Sequence, residues 1–192
     1  MATTKRADAV RNRERILAAA REAFTESGEH AQMEEIARRA CVGVGTLYRH
    51  FDTKEALVGE LLAVKLSEFA ERVRRTYEEQ SDPWEAFAGA LREQVDVMAA
   101  DAAHQKMPFA ATPAVVERAQ PAIDELREAW LAVIDRAKEA GAVRPDLEVD
   151  DIRTVMCGLG SMMAADAGGS LTYDWRRQLE FFLDGARAGL PA

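Results

Sequence analysis

The sequence predicts an all-α protein of about nine helices, with an N-terminal three-helix head and a larger helical body. Three observations predict it. Apolar residues recur at helical spacing along the chain, whereas no segment alternates apolar and polar residues with β-branched side chains for more than a few positions. Helix stops and starts punctuate the chain at Gly28, Asp52, Asp82–Pro83, Pro121 and the stretch around Gly141. The charge is uneven: residues 1–55 hold 10 Lys/Arg against 9 Asp/Glu, and residues 56–192 hold 15 against 24. A basic tip on an acidic body suits a molecule that meets a polyanion at one end only.

The first helix carries the stripe Ile16, Leu17, Ala20 and Phe24 and stops at Gly28. A second, about residues 33–40, carries Met33, Ile36, Ala37 and Ala40. A third, about 44–50, carries Val44 and Leu47, with Phe51 at its end. Asp52, with Glu55 three residues on, reads as a capping box opening a long helix with Leu62, Leu66, Phe69, Val73 and Tyr77 inward. "SDPWEAF" supplies a cap at Asp82 and a proline at the first helical position. Pro121 starts or kinks a helix carrying Ile123, Leu126, Trp130, Val133 and Ile134. The last two helices are expected near 151–166 and 174–189. These place a head at 1–52 and a body at 53–192.

Composition narrows the function. With 48% hydrophobic and 30% charged residues the chain reads as soluble, and its longest apolar stretches fall short of the ~18 residues of a membrane span. The N-terminus lacks the apolar run of a secretion signal. Cys41 and Cys157 are far apart and form no CxxC pair, which fits free thiols in the cytoplasm. His30, His50 and His104 show no HxxxH spacing, and no Ser-His-Asp arrangement is visible. No metal, no cofactor and no catalysis are therefore expected.

The stretch "CVGVGTLYRHF" at 41–51 carries the function. A phosphate loop would need GxxxxGK[ST], or GxGxxG after a strand; the lysine, the third glycine and the strand are all missing. Two short helices joined by a three-residue turn are instead the helix-turn-helix plan, whose second helix enters the major groove of DNA. Leu47 and Ile36 would bury toward the first helix. Thr46, Tyr48, Arg49 and His50 would face outward.

At this point "MEEIARRACVGVGTLYRHFDTKEAL" resembles the DNA-binding head of the TetR family of transcriptional regulators, over about residues 10–60. Beyond it, "DPWEAF" and "WRRQLEFFLDGARAG" are similar to the SbtR-like branch. The resemblance implies a homodimer whose two heads read a pseudo-palindromic operator, most often as a repressor, and a body that binds a small-molecule effector. It implies DNA contacts from Thr46, Tyr48 and His50, a phosphate contact from Lys54, and approach of Arg11 and Arg13 to flanking DNA. Gln32, Met33, Gly43, Val44, Gly45 and Arg49 complete the expected DNA-facing set. Three positions depart from the family pattern: Cys41 stands where glycine is usual, and Gly43 and Gln32 stand where a serine or threonine is usual. Cys41 is read as a small buried filler.

In the body, Phe69, Trp84, Phe87, Met98, His104, Met107, Phe109, Trp130, Ile134, Met156 and Met163 form the candidate effector-binding set. Methionine adapts to varied shapes, and the same inventory also serves as plain core. The broken segment "HQKMPFAATP" is the expected gate. Cys157, Gly160 and Ala164, with Leu179, Phe182, Leu183 and Ala186, are the candidate dimer face, small residues allowing close helix approach. Two other readings remain: a DNA-binding regulator sensing thiol oxidation at Cys41, and a helical ligand carrier that binds no DNA.

Overall fold

The structure is a computed structural model that describes residues 2–101, 112–167 and 173–189. Among the described residues there are eight α-helices and no strand. They are α1 (Ala2–Ser27), α2 (Met33–Arg39), α3 (Val44–His50), α4 (Lys54–Glu79), α5 (Pro83–Ala100), α6 (Pro113–Glu139), α7 (Val149–Ala167) and α8 (Trp175–Ala186), with a 3-10 turn at Gly28–His30. The all-α expectation holds, and the helix count is close to it. The chain forms two compact units. One is the chain up to Val64 with the segment ending at Gln120; the other is Lys65–Asp101 with the chain from Pro121 onward.

The first unit is built around one apolar cluster. Ile16, Ala20 and Phe24 of α1 meet Ile36 and Ala37 of α2, Leu47 of α3, Phe51, Leu57 of α4 and Val115 of α6. Gly28 ends α1 at φ +54°, a left-handed position that suits glycine. α4 opens one residue later than the sequence suggested. Thr53 Oγ1, and not Asp52, accepts from the Ala56 N–H at 3.0 Å. Thr53 is thus the N-cap, and the third helical position is Ala56, so no capping box forms.

Glu60 joins α1, α4 and α6. Its carboxylate accepts from Arg13 and, at 2.8 Å, from Arg118. Burial alone would raise its pKa; the hydrogen bonds from Arg118 and Arg13 outweigh that and hold it below the ordinary value. The adjacent Gly59 is where α6 comes closest to α4. A Cβ there would lie 2.8 Å from Arg118 Cβ and 3.1 Å from the Val115 carbonyl oxygen.

The second unit packs Phe69 and Val73 of α4, Phe87, Leu91 and Val95 of α5, Trp130 and Ile134 of α6, Ile152 and Leu159 of α7, and Leu179 and Leu183 of α8 into a single core. Asp82 caps α5 by accepting from the Glu85 N–H at 2.9 Å, with Pro83 first in the helix, as the sequence predicts. Pro121 does not start α6. The helix begins at Pro113, and Pro121 lies inside it. Thr112 opens it: its carbonyl accepts from Val116 at 3.1 Å and its hydroxyl from Val115 at 3.4 Å. At the other end Gly141, φ +64°, stops the helix, and the Ala142 N–H returns to the Ala137 carbonyl at 2.8 Å. Paired bonds between Ala142–Arg144 and Ala186–Ala188 tie that turn to the end of α8.

Candidate nucleic-acid interface

The site begins with α2, a turn and α3. Ala40 closes α2, Cys41 and Val42 make the turn, and Gly43 opens α3. The turn is held from both sides. The Val42 N–H reaches back to the Ala37 carbonyl at 3.0 Å, and Arg15 of α1 donates to the Cys41 carbonyl at 3.0 Å. Cys41 itself sits at φ +50°, the sole non-glycine residue with positive φ among those described. That conformation swings its side chain outward, so the expected buried filler is an exposed thiol, with Sγ 3.7 Å from the Arg39 carbonyl. A glycine would hold this turn without the Cβ penalty.

Leu47 is fully buried and pins α3 to the head's core, with Phe51 behind it. The opposite face of α3 is open. Val44 and Tyr48, one turn apart, are 40% and 42% exposed. Gly45 lies beside them with open space around its Cα, and Arg49 is exposed. Val44 thus belongs to the outward face and leaves the buried stripe assigned from periodicity. Thr46 and His50 are half-buried at its borders. Arg49 does not pair with Asp52; it folds along its own helix, donating to the Gly45 carbonyl at 3.1 Å and Thr46 Oγ1 at 2.9 Å.

Other positions fare differently. Gly43 is an N-cap without a side-chain acceptor. Gln32 occupies the N-cap position of α2 but turns its amide back to the His30 carbonyl at 2.9 Å. Met33 is buried in the head's core, so its side chain cannot reach out from that face. Lys54 donates to the Glu29 carbonyl and lies 5.7 Å over the Phe24 ring, which fastens α4 to the 3-10 turn. Arg11 and Arg13 fall inside α1 and pair with Asp8 and Glu60, so no basic arm precedes the first helix at those positions.

Charges within the head tie α2 to α1. Arg39 at the end of α2 donates to Glu35 at 2.7 Å and to Glu26 of α1 at 2.6 Å. Arg38, with Arg39 adding to it, holds the Glu35 pKa down at about 2. The Arg39–Glu26, Arg13–Glu60–Arg118 and Arg15–Cys41 links escaped the sequence reading. Each joins residues far apart in sequence, and nothing local distinguishes such an arginine from a solvated one.

The body's candidates divide as well. Phe69, Phe87, Met98, Trp130, Ile134, Met156 and Met163 are buried in the second unit's core, and Trp84 is half-buried against it. Phe87 meets Trp130 edge-on at 6.3 Å and Trp84 at 5.9 Å. His104, Met107 and Phe109 lie outside the described residues, as does most of the proposed gate. Of the dimer set, Leu179, Leu183 and Ala186 turn into the chain's own core, where the stripe of α8 completes the packing. Cys157 and Ala164 are exposed, and Gly160 and Phe182 are half-buried. Phe181, passed over in the sequence, is 54% exposed on the outer side of α8. Among the described residues no helix is long and apolar enough to cross a membrane, and no group of three His, Cys, Asp or Glu is placed to hold a metal ion.

A short exposed helix that follows another across the turn at Cys41 and Val42 defines a helix-turn-helix protein. The family follows from comparison. Residues 16–61 match the model of bacterial regulatory proteins of the tetR family, and residues 82–188 match that of the SbtR-like transcriptional regulator C-terminal domain. The chain belongs to the TetR family of transcriptional regulators, in its SbtR-like branch. It is similar to the HTH-type transcriptional repressor KstR2 of Mycobacterium tuberculosis, 30% identical over 135 residues that cover 66% of each chain. The crystal structure of the TetR regulator SCO0520 from Streptomyces coelicolor is 32% identical, with a TM-score of 0.60 over 92% of this chain and 99% of that one. FadR from Bacillus subtilis, in complex with stearoyl-CoA, shares the fold at 21% identity, with a TM-score of 0.72 over 91% and 99%. Other curated regulators match over less: the chain spans 47% of the length of one and 26% of another.

Proposed function

We propose that the protein is a sequence-specific DNA-binding repressor that acts in the cytoplasm as a homodimer on a pseudo-palindromic operator and is released by a small-molecule effector. The observation that carries this reading is the open face of α3, Val44, Gly45, Tyr48 and Arg49, on a helix whose other face is locked by Leu47. A glycine at 45 lets the helix backbone approach base edges. Tyr48 and Arg49 supply hydrogen bonds, and Val44 an apolar contact of the kind that reads a thymine methyl. Thr46 and His50 flank them. Phosphate contacts would fix the register without reading sequence. Gln32 and Gly43, at helix starts, serve through backbone N–H groups.

Functionally we divide the chain at residues 1–52, the DNA-binding part, and 53–192, the effector and dimer part. Dimerisation is assigned to the outer sides of α7 and α8, around Cys157, Ala164 and Phe181, which would close as a two-fold four-helix contact. That FadR is in complex with stearoyl-CoA is a property of FadR; it supports the view that this fold has room for an effector. Effector and operator weaken each other's binding by one common factor, as linkage requires. The helical carrier reading predicts no DNA binding at all.

The test is fluorescence anisotropy of the full chain with the DNA upstream of its own gene, at several salt concentrations. Salt-dependent binding that survives competitor DNA supports the reading. Binding indifferent to sequence, or its absence, rejects it. Tyr48→Ala should then weaken specific binding by at least tenfold and leave the residual non-specific affinity nearly unchanged.

A further inference from the structure

We infer that Arg49 is the guanine-reading residue of α3, and that Thr46 is the positioning residue that sets its guanidinium for that base. This rests on the reading of α3 as a DNA-reading helix and adds the base it reads: each half-site of the operator carries a guanine opposite Arg49. A guanidinium is flat and holds five N–H donors in a fixed fork. Arg49 spends two of them on its own helix. Nε donates to the Gly45 carbonyl at 3.1 Å, and Nη2 donates to Thr46 Oγ1 at 2.9 Å. Those two donors share one edge of the plane, so that edge is turned to α3. Planarity fixes the rest. The end of the fork, where Nη1 and Nη2 each hold a further hydrogen, is turned away from the helix, and the residue is exposed.

The same two bonds draw the guanidinium back one turn, to the level of Gly45 and Thr46. A recognition helix meets base edges with its opening residues, so the fork stands where bases are read. Gly45 leaves it uncovered: a Cβ there would have nothing within 4 Å. Arg11, Arg13, Arg38 and Arg39 are each paired with a carboxylate. The acceptors that hold Arg49 are a carbonyl and a hydroxyl, which leave its charge unneutralised. In the major groove guanine presents two acceptors side by side, N7 and O6, and takes both arms of an arginine fork. Adenine sets a donor beside its acceptor, thymine a methyl group, and cytosine offers a donor. A fork already held by Thr46 loses less freedom on binding than a mobile one. It is also kept from swinging to a neighbouring phosphate, and that is how the hydroxyl at 46 sharpens the choice of base.

The probe is a pool of duplexes with roughly three helical turns of random sequence, selected by binding to the full chain and sequenced. The parent should select guanine at one position in each half-site. Arg49→Ala should lose the preference there and keep the preferences elsewhere, which also shows that the variant folds. Arg49→Lys keeps the charge without the fork and should not restore it. In the selected duplex, 7-deazaguanine, which lacks N7, should bind about tenfold more weakly than guanine or worse. Inosine differs from guanine only in the minor groove and should bind as guanine does. Thr46→Val, of matched shape, should narrow the ratio of guanine to adenine affinity by about threefold or more. Thr46→Ser, which keeps the hydroxyl, should restore that ratio. If Arg49→Ala selects the parent's sequence, with affinity uniformly lower and the salt slope shallower by about one, Arg49 holds a phosphate and the inference is overturned. Indifference to 7-deazaguanine overturns it as well, and an undiminished ratio in Thr46→Val overturns the part given to Thr46. A parent that selects no sequence rejects the DNA-reading assignment and this inference with it. A parent that selects a sequence without an Arg49-dependent guanine rejects this inference alone.

Discussion

The two units keep their polar groups in opposite places. In the head, arginines lie at the surface and lace the elements together: Arg39 to Glu26 and Glu35, Arg13 and Arg118 to Glu60, Arg15 to the turn at Cys41. Its core is wholly apolar. In the body, an amide and an ion pair are inside, and one buried oxygen has no partner. Under the function proposed above, the difference suits each unit to its part. A helix that reads bases gains from being held in one geometry before it meets DNA, since ordering it on binding would subtract from affinity.

The largest expected effect tests whether the head is a single packed piece. Leu47→Ala removes a fully buried side chain from α3 and should cost about 3 kcal/mol. Operator binding should vanish while most of the far-UV circular dichroism remains; an unaffected affinity would show that α3 is not held by its core. Next is the strained turn. Cys41→Gly, at φ +50°, should stabilise the head by about 1 kcal/mol, read as a higher melting temperature. The same variant asks whether any response to oxidant survives without the thiol. If the response is lost, the thiol-sensing reading gains over the effector reading.

Gly45→Ala separates stability from reading. No atom lies within 4 Å of the added Cβ, so helix propensity should raise stability by up to about 1 kcal/mol. Operator affinity should fall by tenfold or more, because the methyl stands between α3 and the groove. A rise in both would place the DNA elsewhere. The smallest effect is on acid tolerance. Glu35, held at about 2 by Arg38 and Arg39, and Glu26 and Glu60, also lowered, favour their charged forms when folded. Their stabilisation is complete above the ordinary carboxylate value of 4.5 and is lost as the pH falls toward about 2. Melting temperatures taken from pH 7 down to pH 2.5 should drop below pH 4.5, and less steeply in Glu35→Gln.

Much of the fold was legible because its signals are local. The turn at Cys41 and Val42, the stop at Gly28 and the Asp82–Pro83 start each depend on a few adjacent residues. The errors share a cause. Asp52 and Thr53 are both sound caps, and the choice between them depends on where the preceding helix releases the chain. Pro121 is a strong breaker in isolation, yet α6 runs through it from Pro113. In α8 the periodic stripe Leu179, Leu183 and Ala186 was real, but periodicity tells which residues share a face and not what covers that face. The chain's own core took it, leaving Phe181 outside. The outward face of α3 was readable for the converse reason: one large apolar residue, Leu47, fixes the rotation of a seven-residue helix. The burial of Gln94 in α5 left no trace in sequence, since a glutamine on a helix is usually solvated.

The gap at Gly59 has a consequence for inheritance. α4 passes α6 there with no room for a methyl group, and part of the obstruction is the Val115 backbone, which cannot rotate away as a side chain can. A single glycine-to-alanine change would act as a wedge, pushing Arg118 off Glu60. It would alter none of the outward-facing residues of α3, Val44, Gly45, Tyr48 and Arg49. Genetic screens for colonies that have lost repression would therefore recover lesions at position 59, where a survey of the DNA-facing surface alone would find no reason for them.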